Sequence, residues 1–344
     1  MIEGLDSLKY SLARCDTEKR RLEFAARTRA ETRSWQARLR RRLIRLQGGF
    51  LARRCDLSPQ VIDRRQMDGY RREKIVFWSR PGLRVIGYFL LPTGFQAPGP
   101  ALLCLHGHGR GVDDIVGIEP DGRQRSEPAG YQKDFALQAV ANGYATLAIE
   151  QLGFGYRRDA RARGSTPGAS SCSPAAGAAL LLGETMIGWR TYDALRSVDY
   201  LLTRAEVDAS RIGVIGISGG ATTALHVAAL DTRIALAYVS GYFSTYRDTL
   251  LSLPNCICDY VPGILRYAEM HDVAGLVAPR PFFAESGDAD PLAPVTATRE
   301  AFARLRAIYR VFRAQDVVAF HIFQGGHQFD GTRGWRFVKH YLGA

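Results

Sequence analysis

The sequence has no apolar run long enough to cross a bilayer, so no helical membrane span is expected. Its first residues, MIEGLDSLKYSLARC, lack the basic start and apolar stretch of a secretory signal, and none is expected. The six cysteines (Cys15, Cys55, Cys104, Cys172, Cys256 and Cys258) are scattered, with no disulfide framework and no paired CxxC spacing. Cys256 and Cys258 form a lone C-x-C, expected to be structural rather than metal-binding. Cys104, inside the apolar run ALLCL, reads as a core thiol. This cysteine usage fits a reducing, cytoplasmic compartment. Acidic residues are also in deficit: 34 Asp and Glu face 46 Lys and Arg, a formal charge of +12.

The 344 residues are 46% hydrophobic, enough for a large core, and 23% charged residues with ordinary aromatic content argue against disorder. The positive charge is concentrated. Ten arginines fall between Arg20 and Arg45, while Trp35, Leu39, Leu43 and Leu46 recur at helical spacing. A basic stripe can mark a nucleic-acid surface. No nucleic-acid motif accompanies it, so a solvated helix face is expected, with no nucleic acid or membrane as partner. These helices are a candidate contact for a homo-oligomer or a wall of the pocket.

Residues 1–70 read as a basic helical extension, with Asp16 or Thr17 as cap of a long helix fading at LQGGF. From 71 to 344 the pattern is that of one α/β domain. KIVFWS, a Pro81-Gly82 turn and LRVIGYFLLP suggest a hairpin. Apolar strands then alternate with amphipathic helices: ALLCLHG, YATLAIE, RIGVIGIS, IALAYVS, PFFAES and VVAFHIF. That rhythm predicts a mostly parallel sheet covered on both faces. Two segments break it, at about 157–183 and 242–272, and both are expected to shape a pocket at the carboxyl ends of strands.

Gly216-Ile217-Ser218-Gly219-Gly220 matches G-x-S-x-G between a strand and a helix, the setting of a nucleophile elbow. A serine hydroxyl needs a base, and the base an orienting acid. His327, in FQGGHQFDG directly after the last apolar strand, is the favoured base. His321, His340 and His226 sit in a strand or helices; His271, in the aromatic insertion, stays open as an alternative. In PFFAESGDADPLAP the acid is Asp290, held on a loop by Pro291, with Asp288 as runner-up and Glu285 still in the strand. LCLHGHGRG ends an earlier strand, so the His108 or Gly109 backbone N–H can pair with that of Gly219 as an oxyanion hole. His106-x-His108 has no third ligand at sensible spacing, and no metal or cofactor is expected.

The elbow, the HGHG loop, GDADPLAP and GGHQFDG together resemble the α/β-hydrolase superfamily, most of all bacterial serine hydrolases of the dienelactone-hydrolase-like and acetyl-xylan-esterase-like groups. EFAARTRAETRSWQARLRRRL, LAIEQLGFGYR and LLGETMIGWRTYDALRSVDYL extend the resemblance over nearly the whole chain. It implies Ser218 as nucleophile, Asp290 as acid, His327 as base, and the Gly219 and His108 N–H groups as oxyanion donors. It implies a cofactor-independent esterase for a small acyl ester such as acetyl. Thioester, lactone, acyl-transfer or C–C bond chemistry on the same triad stays open, as does a non-catalytic binding module. Glu150 stands where the group often has Asp, and Gly219 where a larger residue is common. The elbow serine replaces the cysteine of dienelactone hydrolases proper.

Overall fold

The apolar strands become the centre of a nine-stranded sheet in the computed structural model, which describes residues 5–50, 53–166 and 168–343. The strands are β1 (Gln60–Met67), β2 (Tyr70–Arg80), β3 (Leu83–Pro92), β4 (Gly99–Leu105), β5 (Ala145–Ile149), β6 (Val207–Ile217), β7 (Leu236–Ser240), β8 (Phe282–Gly287) and β9 (Val318–Phe323). Their spatial order is β1-β2-β3-β5-β4-β6-β7-β8-β9. β1, β2 and β3 pair antiparallel, as does β3 with β5; every pairing from β5 through β4 to β9 is parallel.

The helices are α1 (Ser7–Thr17), α2 (Arg29–Leu46), α3 (Phe135–Ala141), α4 (Ala160–Arg163), α5 (Cys172–Leu181), α6 (Met186–Leu201), α7 (Gly219–Leu230), α8 (Met270–Gly275), α9 (Val295–Phe312) and α10 (Gly334–Leu342). The period-two alternation of each strand splits its side chains between two cores. In β4, Ala101, Leu103 and Leu105 join the core under α2, α6, α7, α8 and α9. Leu102 and Cys104 join the opposite core, under α3 and α10. Both faces are therefore apolar, which is why the strand reads as a continuous hydrophobic run. Among the described residues no helix is long and apolar enough to cross a membrane.

The first 70 residues differ from expectation in two ways. Thr17 ends a helix rather than starting one. The long basic helix begins at Arg29, where Thr28 and Glu31 form a reciprocal capping box. A strand, β1, also stands inside the region expected to be helical. Asp68-Gly69 turns it into β2, with Met67 opposite Tyr70 and Gly69 at φ +76°.

The basic helix α2 is part of the main core. Trp35, Leu39 and Leu43 are almost fully buried, and each such side chain contributes roughly 1.5–3 kcal/mol by leaving water. Two of its arginines turn inward to helix C-termini. Arg40 donates to the carbonyls of Ala229 and Leu276, and Arg29 to that of Phe312. Arg33, Arg38, Arg41 and Arg45 form the exposed face.

Candidate active site

The parallel strands all end on one rim, and the expected site residues follow them there. Ser218 follows β6, Asp290 follows β8, His327 follows β9 and His108 follows β4. Ser218 sits at φ +56°, ψ −127°, a backbone region that costs a non-glycine residue about 1–3 kcal/mol. The surrounding glycines are needed for contact rather than flexibility. A Cβ on Gly220 would overlap the Leu105 carbonyl oxygen, and one on Gly216 would overlap that of Gly220. The β6–α7 turn is thereby pressed against the end of β4, with Ser218 at its apex.

His327 Nδ1 lies 2.8 Å from Asp290 Oδ2. The other oxygen of Asp290 accepts the Leu292 N–H at 2.9 Å, so the buried carboxylate is fixed in orientation. His327 Nε2 has no protein partner among the described residues, and His327 lines the same cavity as Ser218. Asp288 is placed elsewhere. It is exposed, and its Oδ1 accepts the Gly325 N–H at 2.9 Å, bracing the histidine loop from outside.

The other histidines are occupied differently. His271 is half-buried on α8, 3.9 Å from Asp272, and desolvation with Arg304 and Arg20 nearby lowers its pKa to about 4. His226 is buried in α7 against the Thr222 carbonyl, and desolvation likewise lowers it to about 4. Neither lines the Ser218 cavity.

The loop after β4 is held from several sides. Gly107 N–H donates to Gln132 Oε1 at 2.7 Å, leaving His108 the next N–H along the loop. Buried Glu150 accepts the N–H groups of Val112 and Tyr156 and stands 2.9 Å from His106. A Cβ on Gly111 or Gly155 would overlap its carboxylate, so this acid organises two loops at once. Gln151 ties His106 O to the Thr223 hydroxyl.

Two cavity residues carried no recognisable sequence signal. Tyr131 stacks on His327 with centroids 5.4 Å apart and donates to His108 O at 2.6 Å. Its hydroxyl lies over Gly107, close to Ser218 Cβ, and desolvation pushes its pKa up. Asp259, in the insertion after β7, is buried with its Oδ1 unpartnered, and desolvation raises its carboxyl. The cavity is about 280 Å³ and is lined by His108, Tyr131, Ser218, Asn255, Asp259, Leu292 and His327, among others. A larger cleft of about 540 Å³, with Arg110, Arg158 and Arg163 in its walls, shares none of these residues.

Glu285 supports the rim from beneath. It accepts the Ser240 hydroxyl and the N–H groups of Asp330 and Gly331, shaping the chain just past His327. Burial pushes its carboxyl up to about 7 from an ordinary 4.5. The folded state thus keeps a proton that the unfolded chain releases, so this stabilisation is complete below the unfolded pKa and lost as pH rises through the folded one. Glu285→Gln is expected to flatten the fall of unfolding free energy between about pH 4 and 8, by on the order of 3 kcal/mol at most. Denaturant titrations of both proteins across that range check it; parallel curves would remove Glu285 from the account.

Known proteins share this frame. A Bacillus subtilis (strain 168) protein named "Putative hydrolase YtaP" is 28% identical over 302 residues, covering 85% of this chain and 94% of that protein. A crystal structure of a "putative acetyl xylan esterase" from Bacteroides fragilis superposes with a TM-score of 0.79 at 22% identity, covering 93% of this chain and 82% of that one. A glucuronoyl esterase from Solibacter usitatus gives a TM-score of 0.64 at 18% identity, covering 89% and 93%. At those identities the structures speak for the fold, an α/β-hydrolase sheet with its rim loops. The model of the Abhydrolase family matches residues 14–330, from the basic helices past His327, and the chain belongs to that family.

Proposed function

We propose that this protein is a serine esterase for small acyl esters, acetyl foremost. The observation that carries the reading is the pairing of His327 with buried Asp290 in a cavity shared with Ser218 at a strained strand-to-helix turn. In this reading Ser218 Oγ attacks the ester carbonyl while His327 Nε2 takes its proton, and Asp290 holds the Nδ1–H tautomer. The Gly219 and His108 N–H groups receive the developing oxyanion. Collapse returns the proton from His327 to the departing alcohol. Water, deprotonated by His327, then cleaves the acyl-enzyme and releases the acid.

One observation supports a small acyl group and a second supports an ester. The cavity of about 280 Å³ is smaller than most sites for drug-sized ligands and mixes Asn255 and Asp259 with Leu292. The likeness to proteins described as acetyl xylan and glucuronoyl esterases points to esters. A panel of nitrophenyl acetate, butyrate and octanoate tests the reading, with fluorophosphonate labelling beside it. Acetate is expected to give the highest kcat/KM, falling with chain length. Absence of both turnover and labelling would overturn the esterase reading; preference for octanoate would overturn only the acyl size.

A further inference from the structure

Four side chains outside the proposed chemistry converge beside the Ser218 cavity. The His108 imidazole comes from the loop after β4, Cys172 opens α5, and Cys256 and Cys258 lie in the insertion after β7. Their ligand atoms all lie within 4.8 Å of one another. His108 Nε2 stands 3.5 Å from Cys258 Sγ. A tetrahedron with metal–sulfur bonds of about 2.3 Å and a metal–nitrogen bond of about 2.0–2.1 Å has edges of roughly 3.5–3.8 Å. The four groups are thus close to the spacing of a Cys₃His zinc site. A disulfide would use two of the sulfurs and leave the third and the imidazole unexplained; all three cysteines are free thiols.

The surroundings fit a metal as well. Cys172 and Cys258 are buried in a small apolar cluster with Phe154, Ala176 and Met186, while His108 and Cys256 line the Ser218 cavity. Arg190, almost fully buried, donates to Cys172 Sγ at 3.1 Å and to the Leu152 carbonyl. Three thiolates and a neutral imidazole around a divalent zinc leave one negative charge, and this guanidinium balances it. On the far side of the imidazole, the Nδ1 edge and unpartnered Asp259 Oδ1 both approach Gly219, at 3.1 and 3.5 Å from where its Cβ would be. The same geometry accounts for glycine at 219, because any side chain there would press on the His108 ring.

We propose that His108, Cys172, Cys256 and Cys258 bind a structural zinc ion. Four protein ligands close the coordination sphere, so the metal takes no part in bond cleavage. Its task is to tie the loop after β4 to both insertions, 157–183 and 242–272, which frame the cavity.

The test is metal content, which is independent of ester turnover. Protein from zinc-supplemented medium, dialysed against a mild chelator and desalted, is expected to retain one zinc per chain by elemental mass spectrometry. Cobalt exchanged into it should show the visible bands of tetrahedral coordination together with thiolate charge transfer. Cys256→Ser, at the half-buried ligand, is the variant most compatible with folding. It should weaken zinc affinity beyond the roughly 10–100-fold that loss of an outer partner costs. Circular dichroism of Cys256→Ser, read beside its cobalt spectrum, separates loss of metal from loss of fold. Wild-type protein that binds neither zinc nor cobalt would overturn the site. So would a Cys172–Cys256 or Cys172–Cys258 disulfide found by mass spectrometry, or affinity unchanged in Cys256→Ser.

Discussion

Ser218→Ala is expected to lower kcat toward nitrophenyl acetate by on the order of 10⁶-fold and to abolish fluorophosphonate labelling, while leaving the unfolding free energy within about 0.5 kcal/mol of wild type. The two halves of that expectation rest on different atoms. The turn owes its shape to glycines 216 and 220, which allow the carbonyls of Gly220 and Leu105 to come close. Its anchor is the Ser218 N–H, which donates to the Ser240 carbonyl at 3.0 Å. Alanine keeps both that N–H and the Cβ, so the backbone at φ +56° meets the same strain as before. Only Oγ is lost. Residual hydrolysis would come from the oxyanion donors and from binding alone. Kinetics on purified protein, with a thermal or denaturant melt, check both halves. A variant that keeps turnover or still labels would move the nucleophile to another residue.

The parts legible in the sequence are those where one residue's neighbours in the chain are also its neighbours in space. Ser218 is flanked by the glycines that its turn requires, and the six parallel strands are apolar on both faces, so both announce themselves locally. His327 and Asp290 stand on loops directly after strands, where the topology brings strand ends to one rim. β1 was hidden because it carries Asp63, Arg64 and Arg65 on an edge mostly exposed to solvent. Its one local signal was Asp68-Gly69, a strong hairpin dipeptide. The start of α2 was likewise written in Thr28 and Glu31, three residues apart, although Asp16 and Thr17 offered a competing cap. What no local pattern could give is a cluster assembled across the chain. His108 and Cys172 are 64 positions apart, and Cys256 follows 84 positions later, so no ligand spacing appears. The C-x-C of Cys256 and Cys258 looked solitary for the same reason. Tyr131 and Asp259 reach the cavity only because the loops carrying them fold over it.

The acid of the proposed triad gives the second large effect. Asp290→Asn is expected to lower kcat by about 10⁴-fold with little change in KM for a small ester. Asp290 Oδ1 is fixed by the Leu292 N–H, so an asparagine would keep its oxygen there and turn its NH₂ toward His327 Nδ1. A donor facing Nδ1 favours the tautomer whose proton lies on Nε2, and a protonated Nε2 cannot accept the serine proton. The loss is therefore one of protonation state rather than of geometry, and the fold is left intact. Asp288→Asn is the contrast two residues away. It weakens one exposed hydrogen bond to Gly325 N–H, a change of about 1 kcal/mol, so a loss of roughly tenfold or less is expected. The ratio of the two losses is the measurement. If Asp288→Asn were the more damaging variant, the carboxylate that orients His327 during turnover would be the exposed one, and the pairing at 2.8 Å would be a resting contact only.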